Sequence, residues 1–271
     1  MIQPTNEIII RLSFFFCILF LMFSWELLAP RRPLSISKSK RWISNLSIIC
    51  IDSVIIRLLF PAAAVGVALY AEQNNLGFFN HTLHFNDWIV VAASVIILDF
   101  TIYLQHVIFH AIPLFWRIHR MHHIDLDIDV TTGVRFHPIE IILSLVIKFS
   151  VIISVGIPAL AVIIFEVLLN STSMFNHGNV KMPLILDKII RWIIVTPDMH
   201  RVHHSDIPNE TNSNFGFNFS IWDRIFGTYT AQPRLGHKQM TIGIKEIRDA
   251  TYCANLLGML WVPFIRKNRE Y

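Results

Sequence analysis

Residues 88–123 read WIVVAASVIILDFTIYLQHVIFHAIPLFWRIHRMHH: 23 largely apolar residues, Trp88 to His110, that pass directly into polar sequence crowded with histidine. A run of that length reads as a membrane-crossing helix. His106 and His110 close it at i, i+4, and His119-Arg120-Met121-His122-His123 follows as HxxHH. The same pattern returns at His200-Arg201-Val202-His203-His204, 81 residues on from His119. On a helix, positions i, i+3 and i+4 share a face, so each copy is expected to present three imidazoles to a single point, as metal ligands must. A histidine-only metal centre at helix ends is the working expectation.

Composition supports the membrane reading. Hydrophobic residues make up 54% of the 271 and charged residues 15%, against about 25% charged in an ordinary soluble domain; the mean hydropathy is +0.51. The net charge of +4 could suit nucleic acid, but the bases flank apolar runs, where they set topology, so no nucleic-acid partner is expected. Cys17, Cys50 and Cys253 lie in apolar surroundings without a CxxC pair and read as buried thiols.

Outward from the central stretch, residues 12–29 form a first apolar run, a retained helix rather than a signal peptide because bases follow it instead of preceding it. Glu26 near its end is expected to reach the interface. The loop 30–41 carries five Lys or Arg in twelve residues, which predicts a cytoplasmic loop and an external N-terminus. A second span is expected at about 47–71, kinked at Pro61, with Asp52 and Arg57 facing other helices or snorkelling. Residues 72–87 have no Lys or Arg and read as external, so His81 and His84 there are left out of the metal site. Residues 139–175 are apolar around Gly156-Ile157-Pro158 and read as a hairpin, spanning or re-entrant; Lys148 inside it is unexplained. Residues 252–264 are too short to span and should lie in the interface or pack on the cap. The expected architecture is all-α: an integral membrane bundle of about four transmembrane helices, or three plus a re-entrant hairpin, under a cytoplasmic helical cap. The chain divides into 1–94 (N-terminal helices and basic loop), 95–230 (the histidine-bearing domain) and 231–271 (an interfacial tail).

Nine candidate imidazoles, from His106, His110, the two boxes and His177, exceed what one ion takes, so two metals are implied. HExxH is absent, which excludes a zincin protease, and the Glu-x-x-His pairs of carboxylate-bridged di-iron bundles are absent too. Imidazole suits Fe, Zn, Cu and Ni alike. Asp99, one heptad before His106, could orient an imidazole or simply pack between helices.

Several motifs together carry a family resemblance. Asp99-x3-Tyr103-x2-His106-x3-His110, Trp116-x2-His119-x2-His122-His123, His137-Pro138, His177-x-Asn179, His200-x2-His203-His204, Asn214-Phe215-Gly216, Trp222-Asp223-Arg224 and Gly227-Thr228 resemble, in order and spacing, the fatty acid hydroxylase and sterol desaturase superfamily over roughly 95–230. Val107 stands where the family commonly has Arg. The resemblance implies a membrane oxygenase with a histidine-bound di-iron centre that hydroxylates, desaturates or demethylates a lipid with O2. It further implies His106, His110, His119, His122, His123, His177, His200, His203 and His204 as ligands, with His137, Asn179, Asp99, Asn214 and Asp223 as further ligands or their supports. No catalytic side chain beyond the ligands is expected. Zinc can occupy such imidazoles in a purified sample. The chain lacks His-Pro-Gly-Gly, CxxCH and any flavin or nicotinamide fingerprint, so no bound haem, flavin or NAD is expected and electrons come from a separate protein. The rivals are a membrane metal transporter, whose ligands would line a path near the midplane, and a metal-dependent lipid hydrolase, for which no general base is evident.

Overall fold

The computed structural model describes residues 4–82 and 87–266. Among them the chain is helical, with only isolated β-bridges. The long elements are α1 (Pro4–Leu28), α2 (Lys38–Leu59), α3 (Ala63–Gln73), the short α4 (Phe78–Thr82), α5 (Asp87–Ala111), α7 (Pro138–Val155) and α8 (Ala159–Asn176). The cap is built from α6 (Pro113–His123), α9 (Leu184–Ile190), α10 (Pro197–His203) and shorter turns. Proline opens α6, α7 and α10, where its missing N–H costs no helical hydrogen bond and its fixed φ suits the first turn. Inside the second apolar run the same residue is disruptive: Pro61 separates α2 from α3.

Five segments are long and apolar enough to cross a membrane: Glu7–Leu28, Lys38–His81, Trp88–Ala111, Pro138–Val155 and Ala159–Asn176. The chain is an integral membrane protein, with one candidate span more than the expected four because each hairpin arm has 18 residues, about 27 Å of helix. The arms run to the end of the bundle remote from the histidines. There Gly156 closes α7 in the left-handed region at φ 79°, and a Cβ on Gly77 would lie 2.1 Å from the Gly156 nitrogen, so the hairpin turn and the α3–α4 loop meet backbone to backbone. Ala64, Ala68, Leu98, Ile152, Ala161 and Phe165 bury the centre of the bundle, while Phe16, Phe20 and Leu58 stand exposed on its outer face, where acyl chains would lie.

Three charges within the spans are paired with one another and with Glu7. Lys148, unexplained by sequence, donates to Glu166 at 2.9 Å, and Glu166 also meets Arg11 at 2.9 Å, which bonds Glu7 one turn away. The chain of four charges ties α1, α7 and α8 together where an unpaired one would be expensive. Arg57 is exposed and Asp52 buried. Three expectations need correction. Glu26 is not left open to an interface but buried in protein, where it accepts from the Val130 and Asn179 amides at 2.7 and 2.9 Å. Cys17 and Cys50 are exposed, since an apolar helix facing lipid buries only its inner stripe; Cys253 alone of the three is buried, and burial pushes its thiol up to about 11. The basic loop is more than a topology signal. Arg31 pairs with Asp198, Arg32 donates to the His237 and Met240 carbonyls, Lys38 meets Glu26, and Arg41 grips Asp125 and Asp129. Loop and cap are thereby stapled together.

Residues 250–265 pack on the cap through Cys253, Met259 and Val262 against Ile48, Trp116 and Met121, with Leu257 and Trp261 left outward. Arg117, Arg120, Arg135 and His137 fasten this segment by donating to its carbonyls. His81 is exposed, as expected of a loop histidine; His84 lies outside the described residues.

Candidate metal centre

Nine buried histidines gather where the spans end and the cap begins. They form two groups, His106, His110, His119, His123 and His203 in one and His122, His177, His200 and His204 in the other, each with its ligand atoms within 4.8 Å of one another. These are the nine residues singled out from sequence. The expectation that each HxxHH box serves one point is wrong, because both boxes are divided. His119 and His123 go to the five-membered group while His122 crosses to the other; His200 and His204 go to the four-membered group while His203 crosses back. Helix geometry explains the exchange: at 100° per residue, i and i+4 diverge by about 40°, whereas i+3 lies on the opposite flank, about 100° from i+4. Two ions placed either side of a helix therefore split such a box.

The rings are oriented from behind. Nδ1 of His106, His122, His177 and His203 donates to the carbonyls of Phe215, Arg135, Ser173 and Ser213 at 2.8, 3.1, 2.7 and 2.7 Å, and His119 Nδ1 donates to Glu140 Oε1 at 2.7 Å. Each such bond fixes the tautomer and leaves Nε2 with a bare lone pair. Those lone pairs converge. His122 and His177 Nε2 stand 3.0 Å apart, as do His177 and His200, and His110 and His123 stand 3.1 Å apart. Unshielded lone pairs at that distance repel, whereas two nitrogens each about 2.1 Å from one cation and at right angles to each other sit about 3.0 Å apart. Nε2 of His106, His119 and His203 and both nitrogens of His204 have no hydrogen-bond partner. Burial pushes His177 down to about 4 and His203 to about 3, and burial with neighbouring imidazoles holds His122, His123, His200 and His204 well below the ordinary range. All are thus neutral near pH 7, the form that binds metal. The donor set and its geometry fit a pair of cations.

The other candidates lie outside both groups. His137 caps α7 through Nδ1, which accepts from the Ile139 amide at 3.2 Å, and donates from Nε2 to the Leu260 carbonyl. Asp99 does not orient His106; it accepts from Trp222 Nε1 at 2.7 Å and from the Asn218 and Phe219 amides. Asn179 pins the basic loop through Arg32. Asn214, at φ 53°, binds the Met199 and Thr230 carbonyls, and Asp223 accepts from the Phe215 and Gly216 amides at 2.8 Å. Asp223 therefore holds the strand of backbone whose carbonyl orients His106. Arg224 stacks on Trp192 and Tyr229. Glu140 is the residue that sequence reasoning passed over. Its signal was an acid in the first turn after His137-Pro138, where apolar surroundings demand a partner.

The family model described as fatty acid hydroxylase matches residues 91–228, just over half of the chain. The chain belongs to the fatty acid hydroxylase family. The match contains every histidine of both groups. Similar proteins include the ornithine lipid hydroxylase OlsE of Rhizobium tropici, 29% identical over 217 residues, 78% of this chain and 60% of that protein. Alkylglycerol monooxygenases of Xenopus tropicalis and Homo sapiens are 29% identical over 49% of this chain and 25% over 61%, covering 29% and 36% of those proteins. The chain thus spans 60% or less of the length of these relatives. No solved structure matches it.

Proposed function

We propose that this member of the family inserts oxygen from O2 into a C–H bond of a membrane lipid, with two iron ions held by the two imidazole groups and electrons from a separate protein donor. The observation that carries the proposal is the pair of buried imidazole groups, backed by carbonyls and Glu140, at the ends of lipid-facing helices. Ornithine lipid hydroxylase and alkylglycerol monooxygenase, as names of relatives, favour hydroxylation of a lipid over desaturation. Iron bound there would supply the redox chemistry with dioxygen that imidazoles lack.

The chain's own residues do the rest. His106, His110, His119, His123 and His203 are assigned to one ion, and His122, His177, His200 and His204 to the other. Carbonyls and Glu140 hold each ring in its donating orientation. Phe136, stacked on His122 with ring centroids 4.5 Å apart, and Phe215 and Phe217, packed against His106, wall the groups from water. The cap with its histidines and the loop 30–41 share the cytoplasmic side, and the N-terminus lies outside. Their mutual bonding through Arg41 and Asp125 supports a common face, and five crossings agree with it.

Iron-loaded protein supplied with a reductant, a lipid extract and 18O-labelled dioxygen tests the proposal: a lipid gaining labelled oxygen is expected. If none does so aerobically beyond the anaerobic control, the oxygenase reading fails.

A further inference from the structure

The cap turns two unlike faces outward. Over 231–249 the exposed side chains are chiefly polar, Arg234, Lys238, Lys245 and Arg248 among them, as suits a surface in water. Over 184–193 the order is inverted. Leu184, Ile185, Leu186, Ile189, Trp192 and Ile193 are each between 44% and 77% exposed, while Asp187 of α9 and Arg191 just beyond it are turned into the protein and paired with each other. Thr196 Oγ1 also donates to Asp187 at 2.6 Å, and Arg191 Nη1 to the Ala231 carbonyl at 2.8 Å. At about 100° per residue Asp187 and Arg191 fall on one flank, and the exposed residues spread over the rest. Single exposed apolar residues are ordinary on a soluble surface, but six within ten residues make a patch that needs a partner.

The short helix Ile221–Ile225 extends the patch. The Ser220 amide donates to the Ile193 carbonyl at 3.0 Å, and the Arg224 guanidinium lies over the Trp192 ring at 4.2 Å, so the two helices are neighbours. Here too the acid, Asp223, is buried, whereas Ile221, Ile225 and Phe226 are exposed. The patch then joins a span. Phe226 stacks on Phe100 of α5 with ring centroids 5.7 Å apart, and Trp222 meets the same ring at 4.8 Å. Phe100 lies eleven residues before Ala111, which is about 16 Å down α5 from its cap end. At the other edge, the Lys181 amide donates to the Ala29 carbonyl, just beyond the end of α1, at 2.8 Å. The patch therefore flanks the ends of the spans instead of crowning the cap. In 181–193 and 218–229 the exposed charges are Lys181 and Lys188, both basic, as suits an anionic headgroup layer.

We propose that α9 and the helix 221–225 form an in-plane membrane element, with their apolar faces sunk into the leaflet next to the cap and Lys181 and Lys188 at its headgroups. Lipid is the occupant because the patch is continuous, through Phe226 and Phe100, with the outer face of a membrane-crossing helix. One short segment then borders both lipid and the metal groups, since Phe215 and Phe217 pack against His106. The test needs no turnover and is independent of the oxygenase reading. The full-length protein carrying Cys17→Ser and Cys50→Ser, which remove the exposed thiols, takes a nitroxide at Ile189→Cys, Ile225→Cys or Lys238→Cys in nanodiscs of phosphatidylcholine and phosphatidylglycerol. All three positions are exposed, and thermal melting shows that each variant is folded. Collisions with oxygen, which concentrates in lipid, and with a water-soluble nickel chelate report where each label lies. The labels at 189 and 225 are expected to be open to oxygen, shielded from nickel and about 5–10 Å below the headgroup boundary, and the label at 238 to be open to nickel. Nickel access at 189 or 225 equal to that at 238 overturns the proposal, because the patch then faces water. So does shielding of either label from oxygen and nickel alike, because a second copy or another protein then covers it.

Discussion

The five-imidazole and four-imidazole groups draw on the same two boxes but lean on different supports. Behind the five stand the carbonyls of Ser213 and Phe215, the side-chain oxygen of Asn212 and one carboxylate, Glu140. Behind the four, among the described residues, stand carbonyls, those of Arg135 and Ser173, with an ionic layer one step further back: Arg135 sits by Asp125 at 3.5 Å, and Asp125 is gripped by Arg41. A carboxylate raises the basicity of the imidazole it holds, whereas a carbonyl mainly orients it. The smaller group also offers fewer imidazoles, so an ion held there would keep more positions open. The difference teaches that two sites of one residue type can be tuned apart by what lies behind the rings.

The largest effect is expected where the ionic layer is removed. Arg41→Met would leave Asp125 and Asp129 buried without their shared guanidinium, at a cost of about 3–5 kcal/mol. Melting should fall accordingly, and metal analysis should show the four-imidazole ion lost first; equal loss from both groups would mean that the ionic layer does not serve one in particular. Next, His177→Ala takes one of the four ligands without touching the five. Oxygen incorporation should drop by about 100-fold or more, given that losing a mere outer partner costs about 10–100-fold, while elemental analysis should find about one ion per chain. A smaller change is expected of Glu140→Gln, which keeps an acceptor for His119 but removes the charge: competition with a chelator should show about ten-fold weaker binding at the five-imidazole group alone.

The smallest effect is one both groups should share. His237, beside Asp198 on α10, is pushed down to about 4 by burial, and α10 supplies histidines to both. With the folded value below the unfolded value of about 6.5, its stabilising contribution is complete above about pH 6.5 and declines as pH falls toward 4. Melting of wild type should therefore fall more than that of His237→Gln between pH 7 and 4.5. Selective acid loss from one group that tracks His237 would count against α10 as their common support.

Much of this was legible in sequence because it rests on local periodicity. The spans follow from apolar runs, and the boxes from i, i+3, i+4 spacing. The division of each box was not, since it depends on a second ion, which no single helix specifies. Glu140 went unread because its partner, His119, lies 21 residues back on another helix. Lys148 has no explanation in sequence, because its counterion sits on the opposite arm of the hairpin. The bases of 30–41 were read for topology, yet their partners come from residues 26, 125, 129 and 198, and from two carbonyls near 240. Tertiary pairings of this kind leave no periodic trace.

The divided boxes set a schedule for making the protein. A chain is built from its N-terminus, and His119 to His123 are complete long before His200 to His204 exist. Neither imidazole group is whole until the later box has been synthesised and has docked against the earlier one. An ion arriving during translation would meet only fragments of the two groups, which become whole once synthesis has passed residue 204 and α6 and α10 have found each other.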